Sequence, residues 1–361
     1  MPPVWVGHPR ISTALQRALR RAGPCSPRPG RHLGAEDVRR GSLFAPAFAP
    51  EFPPGRPAEC AGRIGRAVTG TEGLVTVADH LRWIATRFAA EDLYYGHGTD
   101  NAWDESLALV CGYLGLPCDK LEYVLGSRLL EAERDALCRL TEQRIEQRVP
   151  VPYLVGEAWF AGHRFSIAPG VLIPRSPVAE LIRDEFAPWL TRPPGRILDL
   201  CSGNGCIGIA CARQFGDALV TLAELDPAAL QLARENVRLH GLDDRVRVVE
   251  SDLFAAIDDT PFDLIVANPP YVNAEDFASM PAEYRHEPAA ALSGGPDGLD
   301  LVRRILAAAG TRLAPDGLLV VEVGNSSAAL LQAFPNLPFA WPDFECGGHG
   351  VFVVDRQGLM R

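Results

Sequence analysis

The chain has 361 residues, 47% of them hydrophobic and 22% charged, with a formal net charge of −10. That length suits two domains or one large one, and the composition is globular. No apolar run is long enough to span a bilayer. The acidic balance counts against a general nucleic-acid binder, and the nine cysteines form no CxxC pair or zinc-spaced cluster, so reduced thiols, a cytoplasmic protein and no metal are expected.

Residues 1–72 differ from all that follows. They hold 11 Arg, no Lys and five acids, a formal +6 that leaves −16 for the rest of the chain. Prolines recur in "PCSPRPGR" and "FAPAFAPEFPPGRP", and no helical or strand period persists. The segment is predicted to be disordered or an extension ahead of a misassigned start, and no function is assigned to it.

Order is expected from Leu74. "LVTVADHLRWIATRFAAEDLYYG" places Val77, Leu81, Ile84 and Phe88 at helical spacing. "GTDNAWDESLALVCGYLGL" follows, with Thr99, Asp100 and Asn101 as candidate N-caps, and "SRLLEAERDALCRLTEQRIEQR" makes a third, long helix. These form a small helical domain over 74–150, the candidate for recognising a protein substrate. Residues 151–178 read as a connecting β-hairpin with Gly162-His163 as its turn.

From Arg196 strands and helices alternate. Strands are predicted over 196–201, 219–225, 245–250, 262–267, 317–323 and 350–355, with helices over 206–215, 227–240, 298–313 and 326–334. The final "FAWPDFEC" and "GVFVVDR" read as a hairpin that adds an antiparallel strand. The expected fold class is α/β: a doubly wound, mostly parallel seven-stranded sheet over 179–361.

"RILDLCSGNGCIGIACA" sets a glycine-rich turn between strand and helix. Gly203, Gly205 and Gly208 satisfy G-x-G-x-x-G, the dinucleotide fingerprint. Asp199 decides against a dinucleotide, because a pyrophosphate would be repelled by a carboxylate at the tip of that strand, whereas an ammonium group would be attracted. S-adenosylmethionine carries an ammonium, a carboxylate, a sulfonium and a ribose, and no phosphate. Asp199 can face its cationic side, and the loop Cys201-Ser202-Gly203-Asn204-Gly205 can offer backbone N–H groups to its carboxylate. Glu224 can hold the ribose hydroxyls, and Asp252, in "ESDLF", can accept from the adenine amino group.

"DLIVANPPYV" ends a buried strand on an asparagine and two prolines, which proline geometry forces to stop there. Methyl transfer to an amide or exocyclic amino nitrogen needs acceptors for its N–H groups, which aim the lone pair and stabilise the developing charge. The Asn268 side-chain oxygen and the Pro269 carbonyl are such a pair. Pro269 and Pro270 stiffen the turn, and Tyr271 can pack against the planar group that carries the nitrogen. Asn268 thus belongs to both the catalytic and the cofactor-binding sets.

These motifs resemble the class I, Rossmann-like S-adenosylmethionine-dependent methyltransferases, and more narrowly the protein-(glutamine-N5) methyltransferases. The resemblance covers about 74–355. It implies methylation of a glutamine side-chain amide in a translation protein: either the Gly-Gly-Gln loop of peptide-chain release factors or the third large-subunit ribosomal protein. "VLIPRSPVAELI" (171–182), "YGHGTDNAWDE" (95–105), "GEAWFAG" (156–162) and "PAEYRHEPAAAL" (281–292) are similar to the ribosomal-protein branch, whose basic substrate the acidic body would attract. Glu224 departs from the family's usual Asp but keeps the carboxylate, and 1–72 has no recognised counterpart. Amino-methylation of adenine or cytosine stays open as an alternative, with no sequence-specific nucleic-acid binding expected. Arg175 either points into the cleft or pairs with an acid, and 281–298 is either a lid or a solvated connection.

Overall fold

The computed structural model describes residues 73–361; the expectations for 1–72 lie outside the described residues. The first three helices are α1 (Val77–Ala89), α2 (Ala102–Leu114) and α3 (Glu131–Glu146). Thr76 caps α1 in a reciprocal box with Asp79, and of the three candidates it is Asn101 that caps α2, accepting from the Asp104 N–H. Val77, Leu81, Ile84 and Phe88 all enter a core shared with Leu107, Val110 and Leu137.

The connector departs from expectation at two points. Val151–Val155 is a short helix ended by Gly156 in the left-handed region, too brief for its period to show in sequence. The hairpin β1 (Glu157–Phe160) and β2 (His163–Ser166) turns on Ala161-Gly162, both at positive φ, and His163 already pairs with Phe160. Two-residue hairpin turns require positive φ, which the glycine at the second position eases.

The sheet contains β3 (Arg196–Leu200), β4 (Leu219–Glu224), β5 (Val246–Glu250), β6 (Phe262–Ala267), β7 (Leu313–Glu322) and β8 (Val351–Asp355). Their order is β5-β4-β3-β6-β7-β8, parallel except for β8. Six strands therefore stand where seven were expected. Pro338 and Pro342 flank the seventh position and cannot donate to a ladder, so only Ala340 bridges to Val353. Alternate strand residues feed two cores: Ile197, Val220, Leu264 and Val320 on one face, Leu198, Ile265, Val321 and Val354 on the other. The helices α4 (Cys206–Gln214), α5 (Pro227–Leu239) and α6 (Asp300–Arg312) link successive strands.

Candidate active site

β3 and β6 are neighbours, with Asp199 opposite Val266 and Leu200 opposite Ala267. The chain leaves β3 toward β4 on one side and leaves β6 toward β7 on the other. Connections that part in this way open a crevice at the carboxyl ends of the strands. The glycine loop and Asn268 flank that crevice.

A cavity of about 510 Å³ lies there, lined among others by Cys201, Gly203, Glu224, Asp252, Asn268 and Pro270. Gly203 takes φ +56, which a glycine adopts without steric cost. The Glu224 carboxylate accepts from the N–H groups of Gly203, Leu225 and Asp226 at 2.7–2.9 Å, so it is held rigidly at the wall. Asp252 pairs with Arg304 at 2.8 Å, and both line the cavity. The other ionised side chains of the wall, Glu224 and Asp226, are acids, a donor set that suits a cationic ligand without phosphate.

Asp199, Ser202, Asn204 and Gly205, expected at the cofactor, are buried and do not line this cavity. The two-residue period of β3 turns Asp199 toward the face covered by α4, where its Oδ2 accepts from the Gly208 N–H at 2.8 Å. A Cβ on Gly208 would sit 2.2 Å from Leu222, so the glycine allows helix and strand to close over that acid. Burial pushes the Asp199 carboxyl up to about 8, with Glu224 adding to the effect. Asp199 Oδ1, Ser202 Oγ and Asn204 Nδ2 are buried without a partner. Three such atoms in one short stretch are the kind that a polar ligand or an ordered water satisfies.

A second cavity, of about 390 Å³, is lined by Tyr94, Arg175, Pro269, Tyr271, Asp276 and Tyr284 among others. Asn268, Leu172 and Ala291 belong to the walls of both cavities. The Asn268 carboxamide forms no hydrogen bond within the described residues, whereas Tyr271 donates its hydroxyl to Glu322 at 2.8 Å. All four residues of Asn-Pro-Pro-Tyr thus line one cavity or the other.

Arg175 does both things the sequence left open. It lines the second cavity and forms a bidentate pair with buried Glu287 at 2.5 and 2.6 Å. That guanidinium offsets the cost of burial and holds the Glu287 carboxyl down at about 2. The segment 281–292 is therefore neither a free lid nor a solvated connection. Glu283 is also buried, against Arg144 of α3 and the N–H of Tyr94. Sequence reasoning passed over Tyr94, Arg144, Asn236 and Glu322. For Glu322 a signal existed: a lone acid closes the apolar run "LLVVE", as Asp199 and Glu224 close theirs.

A family model described as the methyltransferase small domain matches residues 185–285. The ribosomal protein uL3 glutamine methyltransferase of Francisella tularensis is 44% identical over 290 residues, spanning 80% of this chain and 92% of that protein. The chain belongs to the uL3 glutamine methyltransferase family. The protein of that name from Bordetella pertussis is 43% identical over 288 residues, covering 79% of this chain and 97% of its own length. A solved methyltransferase from Pyrococcus furiosus is 15% identical, with a TM-score of 0.39, over 63% of this chain and 99% of that one. In this uL3 glutamine methyltransferase family member, the domain match takes in the glycine loop, Glu224, Asp252 and Asn268, and ends at Arg285 inside the clamped segment.

Proposed function

We propose that the chain methylates the side-chain amide nitrogen, N5, of a glutamine in the large-subunit ribosomal protein uL3, using S-adenosylmethionine. The observation that carries this reading is Asn268, whose free carboxamide stands in the common wall of an acid-lined cavity and an aromatic-lined one. The first suits the cofactor and the second the glutamine side chain.

When bound, S-adenosylmethionine supplies an electrophilic methyl on a positively charged sulfur that departs with the bonding pair. Glu224 would hold the ribose and Asp252 the adenine edge, exchanging Arg304 for the ligand's amino group. Asp199, buried behind the glycine loop, would stabilise positive charge there. Asn268 Oδ1 and the Pro269 carbonyl accept the two N–H groups of the substrate amide and aim its lone pair along the line of transfer. The amide nitrogen they hold would take the methyl that the bound cofactor supplies, the bonding pair staying with the cofactor's sulfur, and would then shed a proton to water. The two acceptors stabilise the charge that builds on nitrogen, so no strong general base is required. Pro269 and Pro270 keep them preorganised.

The test is transfer from labelled S-adenosylmethionine, offered in parallel to purified uL3, a release factor and duplex DNA, with the mark located by peptide mass. Label on a uL3 glutamine alone is expected. Label on the release factor would keep the mechanism and move the branch, and label on DNA would overturn the substrate class.

A further inference from the structure

Glu322 is the last residue of β7 and is 4% exposed. Its two oxygens have different partners: Oε1 accepts from the Tyr271 hydroxyl at 2.8 Å, and Oε2 from the Ser176 hydroxyl at 2.5 Å. Ser176 Oγ itself accepts from the Val178 N–H at 3.2 Å, so its proton is committed to the carboxylate. Ser176 lies in the connector, directly after Arg175, while Tyr271 closes the Asn-Pro-Pro-Tyr turn. One buried carboxylate thus joins three elements behind the second cavity.

The turn has little freedom otherwise. The Tyr271 carbonyl accepts from Ser326 at 2.9 Å, and a Cβ on Gly324 would come within 2.6 Å of the Tyr271 ring. With its backbone and ring edge fixed, the remaining freedom of Tyr271 lies in its hydroxyl. A phenol donating to an ionised carboxylate gains electron density in its ring, and an electron-rich ring attracts a cation. Tyr271 lines the cavity in which, on the amide-transfer reading, the acceptor nitrogen becomes positive.

We propose that Glu322 is a positioning residue for methyl transfer, acting through Tyr271: it orients the phenol, enriches its ring against the developing charge, and ties that ring to the connector through Ser176. This inference rests on the amide-transfer reading, but its test can be run on whichever acceptor proves to take the label.

The experiment is a double-mutant cycle of Glu322→Gln and Tyr271→Phe, with steady-state kinetics and cofactor affinity measured for each protein. Glu322→Gln preserves shape and removes charge. It is expected to lower kcat roughly tenfold while the KM for the protein substrate and the affinity for S-adenosylmethionine hold. Tyr271→Phe should lower kcat similarly, and the double variant should be no slower than the slower single one. Multiplicative losses, or a wild-type kcat in Glu322→Gln, would overturn the proposal. The wild-type pH profile adds an independent readout. Burial pushes the Glu322 carboxyl up to about 7, against the opposing pull of Ser176, Tyr271 and Arg175. Activity should fall as pH drops through that value, and this limb should vanish in Glu322→Gln. Should Glu322→Gln fail to fold, Ser176→Ala keeps the charge and removes only the tether. It should retain the pH limb and lose part of kcat, and an unchanged kcat would sink the tether. Label on an acceptor other than an amide would defeat the amide reading and leave the coupling between Glu322 and Tyr271 measurable.

Discussion

On the amide-transfer reading, Asn268 separates two tasks that a single side chain could have merged. Its position in both cavity walls would let it meet the acceptor nitrogen, while Glu224 and Asp252 line the first cavity alone. Asn268→Ala should therefore lower kcat on the order of 10²–10³-fold with cofactor affinity nearly intact, which equilibrium binding and single-turnover rates together would establish. Asp199 yields a prediction of another kind. With its carboxyl raised to about 8, it is protonated at pH 7 in the free chain. An ammonium group nearby favours the ionised form, so cofactor binding below pH 8 should release a proton. Affinity should accordingly rise with pH up to that value, by at most about tenfold per unit. Calorimetric titrations at pH 7 in buffers of different protonation enthalpy would detect the released proton, and Asp199→Asn should abolish it.

Elements are arranged around the glycine loop by one buried side chain. Asn236 of α5 accepts from the Ser166 N–H at 2.8 Å and donates to the carbonyls of Ser166 and Asn204 at 3.2 and 3.0 Å. It thus binds the edge of the hairpin to the loop. Asn236→Ala would leave these backbone groups unpaired in the interior and should cost about 1–3 kcal/mol in denaturant unfolding. The elements themselves were largely legible in sequence. Strand period and helix caps place β3 to β8 and α1 to α6 within a few residues, because each depends on neighbours in the chain. The glycine loop, Glu224, Asp252 and Asn268 were legible for the same reason: each closes a strand. Features that depend on a distant partner were not. The sequence around Asn236 reads as an ordinary helix until Ser166 and Asn204 are placed beside it. The turn at Ala161-Gly162 was misplaced by one residue because either pairing suits the pattern, and register alone decides between them.

Over the whole molecule, two arginines, Arg144 buried and Arg175 partly so, do what no local pattern announces. Arg144 of α3 reaches Glu105, Glu283 and the Tyr94 carbonyl at 2.8–3.1 Å, and Arg175 of the connector grips Glu287. The contacts with Glu283 and Glu287 converge on 281–292, so the helical layer, the connector and the segment after the Asn-Pro-Pro-Tyr turn are fastened together. Glu283 and Glu287 lie more than a hundred residues from these arginines, which is why "PAEYRHEPAAAL" could be read in sequence either as a lid or as a solvated connection. Removing one member of a buried pair strands the other. Arg144→Ala should destabilise the chain by about 3–5 kcal/mol, seen as a lower denaturant midpoint, and should raise proteolytic cleavage within 281–292.

The pairing of Leu200 with Ala267 has a consequence for how this enzyme tolerates change. The glycine loop and Asn268 are aligned by the backbone ladder between two adjacent strands. Conservative replacements along β3 and β6 should leave that alignment untouched. A single inserted or deleted residue would shift Asn268 along the strand by about 3.3 Å and send its side chain to the opposite face. The apolar positions of these strands are therefore freer to change in identity than in number.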